Sequence, residues 1–216
     1  MKVLVFDTET TGLPERSAGN VCKTQYWPHV IQLSYIMYDT EKRSILVNHD
    51  HIIKLAPHVN ITETSIEMHG ITREKSERDG VCMKYALELF IICMKESDVI
   101  VAHNMSFDRE MIGVECIRQN CLTPFNLVNN IEFCTMKSTV KLCRIERVSK
   151  ITGHSYYKYP TLSELHHCMF NSIPQNTHNS LVDVLICLRC FVLLSCNEDI
   201  RDINRTFRTL YKHISP

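Results

Sequence analysis

Two short apolar runs, each followed at once by acidic residues, constrain this chain more than any other feature. Lys2 to Phe6 leads into Asp7-Thr8-Glu9-Thr10-Thr11-Gly12-Leu13, and Asp98 to Ala102 leads into His103-Asn104-Met105-Ser106-Phe107-Asp108. Short runs rich in Val, Leu, Ile and Phe read as buried strands. A strand sends residues i and i+2 to one face, so Asp7 and Glu9 point the same way. Side by side, two carboxylates repel, and one is driven toward protonation unless a cation sits between them. Hard divalent ions with oxygen ligands, Mg²⁺ or Mn²⁺ rather than zinc, remove that penalty.

Two further segments extend the pattern. From Ser106 to Gln119 the apolar residues Phe107, Met111, Val114 and Ile117 have helical spacing. Asp108 then falls in the first turn, where the helix dipole favours a negative charge. A third block, His178-Asn179-Ser180-Leu181-Val182-Asp183, opens a mostly apolar helix from Leu181 to Leu194, interrupted by Asp183 and Arg189. An Asp in such a face is costly unless it is paired or metal-bound. His178 would ride on the preceding loop.

In this order the three blocks resemble the DEDDh-type 3′-to-5′ exonucleases, the superfamily of the proofreading (epsilon) subunit of bacterial DNA polymerase III. A sister subclass places Tyr four residues before the last Asp; that position here is Asn179, and His178 matches the His subclass. The resemblance covers roughly residues 1–195. It implies a single α/β domain of the ribonuclease H-like kind, a mixed sheet of about five strands flanked by helices. It also implies two Mg²⁺ or Mn²⁺ ions per site, held by Asp7, Glu9, Asp108 and Asp183, with Asp7 reaching both and Asp108 acting through water. His178 would be the general base that activates the attacking water. Thr10, Leu13, His69, Asn104 and Phe107 would meet the substrate, Leu13 as a wedge between the last two bases and Phe107 as a platform.

The implied substrate is a DNA 3′ end, with a single strand as one candidate form, and the product a nucleoside 5′-monophosphate. An RNA 3′-end trimmer is the nearer alternative, since the same site cuts either polymer. A non-catalytic module that binds nucleic acid or a polymerase is the farther one. Ser180 stands where the family often has Ala, and the Pro14 to Pro28 loop is longer than in compact members.

Composition sets the remaining bounds. With 216 residues, 44% of them apolar, one domain with a sizeable core is the default. No run approaches the ~18 apolar residues of a membrane span, and Asp7 arrives before a signal-peptide core could form. Eleven scattered cysteines suit reduced thiols in a cytoplasmic or nuclear compartment. Cys187-x-x-Cys190 lacks the paired-knuckle spacing of zinc sites. The formal net charge is zero, which excludes coating of nucleic acid by bulk electrostatics. Local affinity could come from Lys137 to Lys158, where six basic residues face one acid, Glu146, and Tyr156, Tyr157 and Tyr159 follow.

Elsewhere, Val30 to Tyr38 and Ser44 to Leu55 read as a hairpin, and Thr62 to Met68 as a short helix ahead of Gly70. Ser76 to Glu96 reads as one long buried helix and Phe133 to Met136 as a strand. Thr161-x-x-Glu164 is a capping box opening a helix to Phe170. Ile200, Ile203, Phe207 and Leu210 predict one amphipathic helix in a C-terminal extension, 196–216, packed on the 1–195 domain. The loop from Pro14 to Pro28 should lie beside the acids.

Overall fold

The computed structural model describes residues 1–122, 125 and 130–214. A five-stranded mixed sheet organises them, in the order β3-β2-β1-β4-β5. Strand β1 (Lys2–Thr10) lies at its centre, antiparallel to β2 (Val30–Asp39) and parallel to β4 (Val99–Ala102). Strand β3 (Ser44–Ile52) closes one edge as a hairpin with β2, and β5 (Ile131–Cys134) forms the other, parallel to β4. Because β1, β4 and β5 run the same way, their C-terminal ends share one edge of the sheet. In α/β sheets that edge is where ligands bind.

Alternation along β1 divides the core into two layers. Leu4 and Phe6 face helices α3 (Met83–Glu96) and α4 (Met105–Arg118), with Phe90, Met111 and Val114. Val3 and Val5 face helix α8 (Ser180–Cys196), with Val184, Leu188 and Phe191. Asp7 and Glu9 continue the second face, while Thr8 belongs to the first. The register between β1 and β2 slips at Glu9/Thr10, where Ile31 is the extra residue on β2. A bulge beside a strand end re-aims the side chains that follow it.

Several elements differ from the sequence expectation. Ser76 to Glu96 is two helices, α2 (Arg73–Asp79) and α3, not one. The backbone turns extended at Gly80, where an added Cβ would lie 2.6 Å from the Lys54 nitrogen. Val81 can then bridge to Ile53, and the buried Ser76 hydroxyl donates to the Ile53 carbonyl. The expected strand at Phe133 begins and ends earlier, and Thr135 opens a short helix, α5 (Thr135–Ser138), followed by α6 (Val140–Cys143). The basic segment folds into a hairpin, β6 (Glu146–Val148) and β7 (Ser155–Tyr157).

Helix α7 (Leu162–Phe170) carries the expected capping box, with the Thr161 hydroxyl accepting from the Glu164 N–H and Glu164 accepting from the Thr161 N–H. The last helix divides at Asn204 into α9 (Ile200–Ile203) and α10 (Arg205–Tyr211), because Asn204 is extended and caps the second segment. Ile200, Phe207 and Tyr211 are buried in the same layer as α8. A buried network ties them down: Arg189 grips Asp199 through two nitrogens, while the Tyr211 hydroxyl and Arg189 Nη1 both reach His166 Nε2. None of the helices among the described residues is long and apolar enough to cross a membrane, and all eleven cysteines are unpaired thiols.

Candidate active site

Asp7, Glu9 and Asp183 meet where β1 ends against the first turn of α8, with one carboxylate oxygen from each within 4.8 Å of the others. Strand periodicity supplies the first two, and the N-terminus of α8 supplies the third. Helix α8 is seated there by Ser180, whose hydroxyl donates to the Asp7 carbonyl at 2.7 Å and whose N–H donates to Gln32 Oε1 at 3.2 Å. The Gln32 amide is in turn oriented by Asp50, which accepts from Gln32 Nε2 and from the Ser34 hydroxyl. Gln32 and Ser34 stand opposite Glu9 and Asp7 in the register of β2. Neither Gln32 nor Asp50 is recognisable from sequence, since their partner at Ser180 lies in a distant part of the chain.

Asp108 approaches from the other layer. Its Oδ1 accepts from the Thr8 N–H at 3.0 Å and the Thr8 hydroxyl at 2.9 Å, so the strand holds it from the face opposite Asp7. It lies outside the group formed by the other three. Thr8 is the side chain the motif reading missed, although its place between Asp7 and Glu9 is the signal.

Burial without countercharge shifts every acid in the same direction. Burial pushes Asp7 well above the usual carboxylate range, helped by Asp108, Asp183 and Glu9. Glu9 is raised to about 8 by burial and then by the Asp183 and Asp108 charges. Burial lifts Asp183 to about 7, against the opposing His178 N–H. Asp108 reaches about 7 for the same reason, against the Thr8 bonds. Asp183 Oδ2 accepts from the His178 N–H at 3.3 Å, while Oδ1 is buried with no partner. It is the only carboxylate oxygen among the described residues so placed. An orphaned acceptor among three hard anionic donors fits a divalent cation.

His178 is exposed on the loop before α8, in a left-handed conformation, and the Asn179 side chain caps the helix behind it. Beside the acids lies a cavity of about 510 Å³ whose walls include Glu9, Thr10, Leu13, His69 and Phe107. Leu13 is 83% exposed at its rim, and Phe107 is half-buried against the core. Thr10 is buried, with its hydroxyl donating to the Gly12 carbonyl. His69 closes helix α1 (Glu63–His69) before Gly70, whose positive φ of 69° ends the helix. Both His69 ring nitrogens are occupied: Nδ1 accepts from the Ile71 N–H, leaving Nε2 to donate to the Thr10 carbonyl. His69 is thus a wall of the cavity with no free ring nitrogen.

One expected neighbour lies off the cavity wall. Asn104 caps α4 in a left-handed conformation and accepts from the Ser106 hydroxyl, off the cavity wall. The Pro14 to Pro28 loop starts directly after Leu13 at the cavity rim and packs along α4, with Val21 sharing a second cavity with Met105 and Ser106 at the start of that helix. Arg118 donates to the carbonyls of Thr24, Trp27 and Pro28, and Trp27 is buried in the core.

The RNase_T family model, described as an exonuclease, matches residues 4–191. The chain belongs to this exonuclease family. Solved structures similar to it include E. coli Exonuclease I in complex with a dA16 oligonucleotide, with 17% identity, a TM-score of 0.65, and coverage of 98% of this chain and 43% of that one. A moderately thermophilic Exonuclease I from Methylocaldum szegediense gives 17% identity and a TM-score of 0.64, covering 94% and 42%. The fold is therefore the ribonuclease H-like one, and the chain spans less than half the length of these neighbours. A comparison with curated protein sequences finds no match.

Proposed function

We propose that this exonuclease-family chain is of the DEDDh type, similar to the proofreading subunit of DNA polymerase III, and removes nucleotides from DNA 3′ ends. Each cut would hydrolyse the terminal phosphodiester and release a nucleoside 5′-monophosphate. One observation carries the reading: three carboxylates converge around an orphaned acceptor, Asp183 Oδ1, beside a cavity sized for a terminal nucleotide.

Asp7, Glu9 and Asp183 would hold one divalent cation, Mg²⁺ or Mn²⁺, and Asp7 with Asp108 a second. Bound there, such ions neutralise charge that builds on the phosphate and on the leaving 3′ oxygen. The chain's own groups do the rest. His178, exposed beside Asp183, accepts a proton from the attacking water and so acts only when neutral. Phe107 offers a ring face to the terminal base or sugar, and Leu13 separates the last two bases. His69 and Thr10 shape the wall behind them.

A single strand is the preferred substrate, a reading supported by similar structures solved with a dA16 oligonucleotide and with single-stranded DNA. Labelled single-stranded DNA, its RNA counterpart, a 3′-phosphate-blocked strand and a circular strand, each with Mg²⁺ or Mn²⁺, test the proposal. Stepwise loss from the 3′ end with 5′-monophosphate products is expected, and the blocked and circular strands should resist. Efficient cutting of the circle would overturn it.

A further inference from the structure

We infer that the β6–β7 hairpin is a binding arm for the single strand that trails 5′ of the cut. This rests on the exonuclease reading and names where its substrate continues. The hairpin leaves from the edge of the sheet that carries the acids. It follows β5, whose C-terminal end lies beside those of β1 and β4. Its far end is clamped back to that edge: the Pro160 carbonyl meets His103 Nε2 at 3.1 Å, and His103 directly follows β4. His103 Nδ1 meets the Thr135 hydroxyl at 2.9 Å, which secures the segment leaving β5 as well. Burial lowers the His103 pKa to about 4, so this clamp stays neutral across the working pH range.

The exposed surface of the hairpin has the chemistry of a strand-tracking site. Every residue of β6 and β7 is exposed. Arg147 stands directly opposite Tyr156, so a guanidinium and a phenol ring share one face. Among the described residues, neither Arg147 nor Lys150 has a carboxylate partner, whereas Lys158 is paired with Glu164. Tyr156 is 52% exposed, and Ile151 at the tip is 96% exposed. A two-stranded hairpin with both faces in water is marginal on its own, so an occupant that covers one face would stabilise it. Unpaired cations beside exposed rings match a polyanion with unstacked bases: phosphates meet Arg147 and Lys150, and a base stacks on Tyr156. Duplex DNA offers no free base face to a tyrosine, so the single strand is the occupant.

The test uses the full chain and the variants R147A/K150A, Tyr156→Ala and Tyr156→Phe. Rates are compared on a dinucleotide and on a DNA single strand of about 20 nucleotides, longer than typical sites of ~4–16. Binding of the same labelled strand is followed by anisotropy in EDTA. Tyr156→Ala should cut the advantage of the long strand over the dinucleotide by about tenfold and weaken binding similarly, the usual worth of one stacked base. Tyr156→Phe should restore both. R147A/K150A should reduce the slope of log affinity against log salt by about 1.4, two phosphate contacts on a single strand. Unchanged length advantage and unchanged binding in these variants overturn the arm. So does loss of a dimer without loss of strand binding, which would make a second copy the occupant. If the wild type cuts neither substrate yet binding still depends on Tyr156 and Arg147, the arm stands and the catalytic reading falls.

Discussion

Asp183 and Asp108 each sit in the first turn of a helix at the same sheet edge, yet the protein treats them differently. Asp108 Oδ1 is given two donors by Thr8, one from backbone and one from side chain. Asp183 receives one long contact from the His178 N–H, and its other oxygen is buried without any. The cause is the alternation of β1: Thr8 faces α4 and can serve Asp108, while the side chains facing α8 are themselves acids. The layer under α4 therefore fixes its carboxylate with protein groups, and the layer under α8 leaves Asp183 Oδ1 open to an ion.

Breaking the α8 side should have the largest effect. Asp7→Asn removes a charge from the residue expected to serve both ions, and nuclease activity should fall by on the order of 10³ or more, as loss of a metal ligand implies. Near wild-type turnover in a gel assay would remove Asp7 from the chemistry. His178→Ala comes next. A positioned proton acceptor is worth about 10² to 10⁴ in rate. Because His178 contributes only a backbone N–H to Asp183, the variant should bind Mn²⁺ as the parent does while losing most of its rate. A variant that binds Mn²⁺ and keeps the parent rate has its base elsewhere.

The α4 side should be softer. Thr8→Val deletes one of two bonds to Asp108 and keeps the backbone donor. A single bond to a charged acceptor is worth about 1.5–3 kcal/mol, so a rate loss of about tenfold to a hundredfold is expected in steady-state kinetics. A loss as deep as that of Asp7→Asn would mean that the two layers are not distinct.

The smallest effect is on stability, and it has a definite sign. Unfolded carboxylates ionise near pH 4. In the metal-free fold, Asp183 holds its proton to about 7 and Glu9 to about 8. Between those limits the native state binds more protons than the unfolded chain, so stability falls as pH rises. Calorimetric melting in EDTA should show a lower Tm at pH 8 than at pH 5, and Asp183→Asn should flatten the difference. A Tm that rises over that interval would contradict the crowding of the three acids.

Much of this was legible in the sequence because it is local. The apolar run before Asp7, the period of two that aligns Asp7 with Glu9, the first-turn place of Asp108 and the Thr161 capping box all depend on neighbours within a few residues. What was missed depends on sheet order. Thr8 reaches Asp108 only because β1 and β4 are adjacent, and Gln32 reaches Ser180 only because α8 packs across β1 and β2. The break at Gly80 coincides with a change from the polar Arg73–Asp79 to the apolar residues that start at Val81, and its physical cause is the backbone of Lys54, close by in space. His69 lines the cavity, but its two ring nitrogens are taken by Thr10 and Ile71, which no motif records.

Calorimetric titration of Mn²⁺ into the wild type and Asp183→Asn near pH 7, in two buffers of different ionisation enthalpy, tests the central claim most directly. The wild type should bind and release protons, because a cation among Asp7, Glu9 and Asp183 favours the ionised forms that burial disfavours. Asp183→Asn should bind much more weakly and release fewer. Equal affinity in the two proteins, or binding without proton release, would contradict the assignment of this cluster as a cation site.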